Sequence, residues 1–140
     1  MEEQHVCLVI EDDPDIRQLI TVVLSRAGFE VLTASTGAEG IATGAASGPS
    51  LSLITLDMGL PDMDGHDVAR ALRTLSPAPL LLLTARSEED DIFSGLASGA
   101  AAYLTKPFLP STLGNTALSL IRLPGSPDLP EPAVTPGPAR

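Results

Sequence analysis

The sequence predicts an α/β protein built around a parallel sheet, on three observations. Four short apolar runs each end on a polar residue: Val6-Cys7-Leu8-Val9-Ile10 on Glu11-Asp12-Asp13, Leu53-Ile54-Thr55-Leu56 on Asp57, Leu80-Leu81-Leu82-Leu83 on Thr84, and Ala102-Tyr103-Leu104-Thr105 on Lys106. Segments with helical spacing lie between them, and such alternation specifies a parallel sheet covered by helices on both faces. Read as parallel strands, the runs bring their four endings together along one sheet edge, where open α/β folds bind ligands. The chain therefore reads as carrying one site.

Each element has its own local reason. Asp13 stands as N-cap and Pro14 at the first helical position of a helix over residues 14 to about 27, which places Ile16, Leu19, Ile20, Val23 and Leu24 on one face and stops at Gly28. A second strand follows at Phe29–Ala34. Residues 36–46 are so rich in glycine and alanine that a helix there is weak without packing. After Asp57, the glycines, proline and aspartates of residues 58–65 mark a tight loop that leads into a helix over about 66–75. Ser87, with Asp90 three residues on, approximates a capping box for a helix whose apolar side carries Ile92, Phe93 and Leu96. A last helix over about 110–122 sets Leu113, Ala117, Leu120 and Ile121 on one face. Residues 124–140 contain six prolines and no apolar periodicity, so they read as a disordered tail or linker. The expected organisation is one domain over residues 1–123 followed by that tail.

Composition narrows the class. A chain of 140 residues can bury a core without disulfides or structural metal. With 44% hydrophobic residues and no apolar run near the roughly eighteen that span a bilayer, a soluble protein is expected. The acidic start Met-Glu-Glu-Gln-His lacks the positive region of a secretory signal, so the expected location is cytoplasmic. Cys7 lies inside the first apolar run and reads as a small buried hydrophobe, not a nucleophile. A formal charge of −10 disfavours direct nucleic-acid binding and suits a cation.

Glu11, Asp12, Asp13 and Asp57 would gather carboxylates at neighbouring strand ends, a repulsive arrangement unless a cation or protons compensate it. Hard oxygen ligands with room for water suit Mg²⁺, although Asp13 reads equally well as a helix cap alone. Thr84 offers a hydroxyl and Lys106 a compact positive charge, which a metal–carboxylate cluster needs to hold a phosphoryl group. Lys106 precedes Pro107, a dipeptide open to a cis bond. His5 and His66 read as surface residues, and His66 has no second histidine or cysteine to complete a transition-metal site.

The combination resembles the receiver domains of two-component response regulators. It is carried by Leu8-Val9-Ile10-Glu11-Asp12-Asp13-Pro14 with Ile16-Arg17, by Leu56-Asp57 through Leu60-Pro61-Asp62-Met63-Asp64-Gly65, by Leu83-Thr84-Ala85, and by Gly99-Ala100 through Tyr103-Leu104-Thr105-Lys106-Pro107-Phe108. The resemblance implies a doubly wound, flavodoxin-like (βα)5 fold with a five-stranded parallel sheet of order 2-1-3-4-5. It implies Asp57 as phosphate acceptor and metal ligand, Asp12 as a direct Mg²⁺ ligand, Glu11 acting on the metal mostly through water, and Gly59 lending its backbone carbonyl. Thr84 would bind and report a phosphoryl oxygen, Lys106 would pair with another, and Tyr103 would swing between outward and inward rotamers.

On the same resemblance the chain is a signalling domain that catalyses only its own phosphorylation and dephosphorylation. The implied partners are a sensor histidine kinase or phosphotransfer protein and an output domain or protein, engaged through the face around the helix after Ser87, the fifth strand and the last helix. No membrane partner is expected, and the chain would be a monomer or a phosphorylation-dependent dimer. The sequence departs from the family at Ala101-Ala102, where an acidic pair is common, and at Leu109, where a capping aspartate is common. The helix after Ser87 carries Glu88, Glu89, Asp90 and Asp91 without a basic residue, which disfavours dimerisation through complementary charges and leaves Phe93 and Leu118 as the apolar alternative. Gly59 and Arg86 stand at the two positions that, on this resemblance, would flank an acyl phosphate. Two other classes compete with this one: an interaction module that no longer turns over phosphate, and a Mg²⁺-dependent phosphatase with Asp57 as nucleophile. The second needs an acid two residues further on, where Gly59 stands.

Overall fold

The computed structural model describes residues 5–85 and 99–122. Five strands form one sheet: β1 (His5–Ile10), β2 (Phe29–Ala34), β3 (Leu53–Asp57), β4 (Leu80–Ala85) and β5 (Ala102–Lys106). Their order is β2-β1-β3-β4-β5 and every pairing is parallel, so the protein has the flavodoxin-like arrangement. Four described helices flank the sheet: α1 (Pro14–Arg26), α2 (Gly37–Ser47), α3 (Gly65–Leu75) and α4 (Pro110–Arg122). The helix expected after Ser87, with Arg86 and Phe93, lies outside the described residues, as does the proline-rich tail.

The strands alternate in side-chain direction and divide the core into two layers. Leu8, Ile10, Ile54, Leu56, Leu80 and Leu82 pack toward α2 and α3 with Val68, Ala69 and Leu72. Cys7, Val9, Leu53, Leu81 and Leu83 pack toward α1 and α4 with Ile20, Leu24, Leu113 and Ala117. The same alternation carries Glu11, Asp57 and Lys106 onto the α1/α4 side of the sheet edge, and Thr84 onto the other side. Thr55 lies two residues before Asp57 with its hydroxyl buried and unpartnered among the described residues. Because such a hydroxyl costs about 1–3 kcal/mol, Thr55→Val is expected to keep or raise the thermal midpoint, and a lower midpoint in a melting curve would contradict the assignment.

Helix starts follow the capping chemistry. The Asp13 carboxylate accepts from the Asp15 and Ile16 amides at 2.8 and 3.2 Å, and Gly28 takes φ +105° just beyond the last turn of α1. α2 begins at Gly37 because Thr36 caps it, its hydroxyl accepting from the Glu39 amide at 3.0 Å. α3 begins at Gly65, one residue before the expected His66, because Asp64 accepts from the His66 amide at 2.8 Å.

Two expectations are revised. The glycines of α2 are not merely weak helix formers: Gly37, Gly40 and Gly44 are its buried residues, and a Cβ at Gly40 would stand 2.5 Å from Ile10 Cδ1. The lack of a side chain at Gly40 lets α2 lie directly on β1, and at Gly37 and Gly44 it admits Met63, Val68 and Leu72 of the loop before α3 and of α3 itself. Leu19, expected in the core, is 39% exposed, because α1 buries only Ile20 and Leu24 fully. Leu118 is half-buried against the layer under α1 and α4. No helix among the described residues is long and apolar enough to cross a membrane.

Candidate functional site

Sheet register sets the site. Ile10 pairs with Leu56, so Glu11 and Asp57 follow side by side at the carboxyl ends of β1 and β3, and Ala85 pairs with Lys106 on the far side. The order of the sheet reverses between these two strands, which places them at the switch point of the fold. Glu11, Asp12 and Asp57 each offer a carboxylate oxygen within 4.8 Å of the others. Lys106 reaches across from β5, its Nζ 3.3 Å from Asp57 Oδ1 and 3.2 and 3.3 Å from the two Glu11 oxygens. Its peptide to Pro107 is cis.

One ammonium does not balance three carboxylates. Burial, then the charge of Asp57, push the Glu11 carboxyl up to about 7 against the opposing pull of Lys106. Asp12 is raised too, chiefly by its hydrogen bond with Asp57, then by burial and the Asp57 charge. Burial works to lower Lys106, but Asp57 and Glu11 outweigh it and hold the ammonium above its ordinary value. Glu11 Oε1 is buried with no directed hydrogen bond, although Lys106 lies close. Three convergent acids, two of them holding protons more tightly than usual, and an orphaned buried oxygen fit a hard divalent cation such as Mg²⁺.

Stability should respond to pH accordingly. Folded Glu11 binds protons more tightly than unfolded Glu11, so the stability it contributes is complete below about 4.5 and is lost as pH rises through about 7. Asp12 acts in the same direction. In EDTA the melting midpoint is expected to fall across that window and to be restored at its upper end by millimolar Mg²⁺; a midpoint that rises across the window would contradict this electrostatic picture.

The remaining candidates surround the cluster. Gly59 donates its amide to Asp57 Oδ1 at 2.9 Å, which folds the β3–α3 loop back over the carboxylate. Thr84 is buried at the end of β4, its hydroxyl 3.3 Å from the Ala85 carbonyl. Tyr103 points outward from β5 and is 42% exposed. Asp13 stays outside the cluster as the cap of α1, and its amide donates to Glu11 Oε2 at 3.3 Å. His66 is half-buried, with Nδ1 3.0 Å from Asp64 Oδ1, and His5 is half-buried against the Phe29 ring, so neither is the plain surface residue expected. Burial pushes the Cys7 thiol up, consistent with an inert core residue.

Sequence reasoning assigned no role to Arg17 or Asp62. Arg17 donates to the carbonyls of Glu11 and Asp12 at 3.0 and 3.4 Å and so braces the strand end that presents both acids. An arginine four residues after the Asp13 cap, one helical turn along, is the signal that could have found it. Asp62 accepts from the amides of Gly37 and Ala38 at 2.8 and 3.1 Å, a contact across 25 residues that no local pattern announces.

The fold and site together define a flavodoxin-like domain with an acidic, lysine-closed pocket at its switch point. The sequence model of the response regulator receiver domain matches residues 7–117, and the chain belongs to that family. It is 43% identical over 101 residues to the transcriptional regulatory protein KdpE of Mycobacterium tuberculosis, covering 72% of this chain and 44% of that protein. It is 40% identical over 106 residues to the DNA-binding response regulator MtrA of Mycolicibacterium smegmatis, covering 76% and 46%. This chain thus spans about half the length of the curated relatives it matches. Among solved structures, a receiver domain from Clostridium thermocellum superposes with a TM-score of 0.80 at 30% identity, covering 84% of this chain and 94% of that one. The chemotaxis protein CheY4 of Vibrio cholerae superposes at 0.76 with 31% identity, covering 84% and 99%.

Proposed function

We propose that this receiver domain accepts a phosphoryl group from the phosphohistidine of a sensor kinase or phosphotransfer protein onto Asp57, and that the acyl phosphate switches a partner or output domain. The observation that carries this reading is the convergence of the Glu11, Asp12 and Asp57 carboxylates on one point closed by Lys106. An Asp57 oxygen attacks phosphorus as the bond from phosphorus to the donor histidine nitrogen breaks, and the imidazole leaves with that electron pair. Lys106, already beside Asp57, meets a transferring phosphoryl oxygen with a charge-assisted hydrogen bond. Mg²⁺ held by Asp12, Asp57 and the Gly59 carbonyl, with Glu11 outside it, would offset negative charge on the transferring group. The domain is a phosphoacceptor that turns over only its own phosphate.

Thr84 then turns toward the new phosphoryl oxygen, which opens room for Tyr103 to move inward from its exposed position. Asp57 chemistry is thereby carried to the β5 surface as a shift between two populations. The unit is residues 1–123, working in the cytoplasm, with the proline-rich residues 124–140 as a tail or linker. An output domain beyond the linker accords with the transcriptional and DNA-binding names of relatives twice as long.

Peptide mapping after acetyl phosphate treatment tests the acceptor, since label on any residue other than Asp57 would refute it. Tyr103 is the single tyrosine of a chain without tryptophan, so intrinsic fluorescence reads this residue alone. Thr84→Ala is expected to keep most labelling yet lose the fluorescence change that accompanies it, and an unaltered change would sink the proposed coupling.

A further inference from the structure

We infer that Asp62 is a positioning residue for the metal site: it fastens the β3–α3 loop, which carries Gly59, to the first turn of α2. This rests on the proposed function, since it concerns the cation that Asp57 and Gly59 would share. At its start the loop is tied to β4, the Met58 amide donating to the Leu83 carbonyl at 2.9 Å, and its ends are also held by its own residues, with Gly59 donating to Asp57 Oδ1 at 2.9 Å and Asp64 capping α3. Between those points its polar anchor to another element, among the described residues, is the Asp62 carboxylate. Oδ1 accepts from Gly37 at 2.8 Å and Oδ2 from Ala38 at 3.1 Å.

Two backbone donors at a helix start fix both oxygens of one carboxylate, and they hold Asp62 below its ordinary value, so it stays ionised where the site is expected to work. A second, steric observation lies at the same junction. A Cβ on Gly37 would stand 3.1 and 3.2 Å from Met63 Sδ and Cβ, and 3.0 Å from Val68 Cγ2. The absence of a side chain at Gly37 lets α2 approach the loop closely enough for Asp62 to reach both amides. Leu60 is buried in the core on the site side of this contact, so the clasp and the core residue together leave residues 58–62 little freedom. A carbonyl that must meet a cation at fixed distance gains from that restriction, because ordering the loop is completed before the ion arrives.

Mg²⁺ titrations by calorimetry on the full chain test the inference, with melting curves and amide exchange of residues 58–63 recorded in parallel. Asp62→Ala is expected to weaken Mg²⁺ binding by up to about tenfold, the lower end of what partners outside the coordination sphere contribute, and to speed exchange in the loop. Asp62→Asn, which keeps one carbonyl oxygen for the Gly37 amide, should recover part of the affinity. Gly37→Ala pushes on Met63 from the other side of the clasp and should weaken binding in the same direction. It also keeps the question answerable should Asp62→Ala not fold. Gly44→Ala is the control: its Cβ would meet Leu72 Cδ2 at 2.8 Å, far from the loop, and should lower the midpoint without changing the Mg²⁺ constant. Equal Mg²⁺ affinity in folded Asp62→Ala and in the unaltered protein would overturn the inference alone, as would a Gly44→Ala affinity as weak as that of Asp62→Ala. No saturable Mg²⁺ binding by the unaltered protein would instead overturn the proposed function, and this inference with it.

Discussion

Asp57→Asn is expected to abolish acceptance of a phosphoryl group and, at the same time, to raise the melting midpoint of the metal-free protein. The asparagine carbonyl can keep the bond from the Gly59 amide, so the loop has no reason to move. What disappears is the oxygen proposed as nucleophile and one negative charge from a group of three whose oxygens lie within 4.8 Å. Glu11 then loses the second-largest cause of its raised value and keeps Lys106 as partner. Relief of that repulsion is worth about 1 kcal/mol, one pKa unit being of that size. Opposite signs for function and stability are what the proposed cation site should give, since three neighbouring carboxylates repel one another when no cation compensates them. A fall in the midpoint, measured in EDTA near neutral pH, would mean that the Asp57–Lys106 pair outweighs the repulsion.

Gly48→Ala is expected to cost about 3 kcal/mol or more, among the larger effects of any single substitution here. Gly48 opens the short 3-10 turn Gly48–Ser50 between α2 and β3, where the chain passes against the end of α3. A Cβ there would stand 2.0 Å from the Leu75 carbonyl oxygen and 2.9 Å from its carbon. Both are backbone atoms, so no rotamer change can make room. The junction is further closed by the Ser76 hydroxyl, which donates to the Gly48 carbonyl at 2.7 Å, and by the Ala78 amide donating to Ser76 Oγ at 3.2 Å. Relief requires α3 to lift away, which loosens Leu72 and Ala69 in the layer beneath it. Chemical denaturation measures the loss, and a midpoint equal to that of the unaltered chain would contradict the geometry. Because the turn lies at the amino end of β3, molecules still folded at low temperature should label at Asp57 normally.

The parts of the site that the sequence made legible are those fixed by strand chemistry. Continuous apolar runs with abrupt polar endings place Glu11, Asp57, Thr84 and Lys106 at one sheet edge, because a buried strand cannot carry a charge until it leaves the core. Alternation alone did not decide which strands are neighbours, and the order 2-1-3-4-5 came from the resemblance. Helical spacing put Leu19 in the core because periodicity identifies a face but not how much of it is covered. Beside Leu19, Ile16, Lys106, Pro107 and Phe108 line a groove of about 360 Å³. The glycines of α2 illustrate a different limit. Propensity counts them as a weakness, whereas their use lies in contacts with Ile10, Leu72 and Met63 on other elements. Asp62 was legible only as a turn residue, since its partners begin 25 positions earlier.

Intact-protein mass spectrometry after incubation with acetyl phosphate and Mg²⁺, with and without EDTA, on this chain and on Asp57→Asn, tests the central claim most directly. A gain of one phosphoryl group that needs the metal and is absent from the variant is the predicted result. A gain that persists in EDTA or in Asp57→Asn, or no gain in any condition, would contradict a metal-assisted acceptor at Asp57.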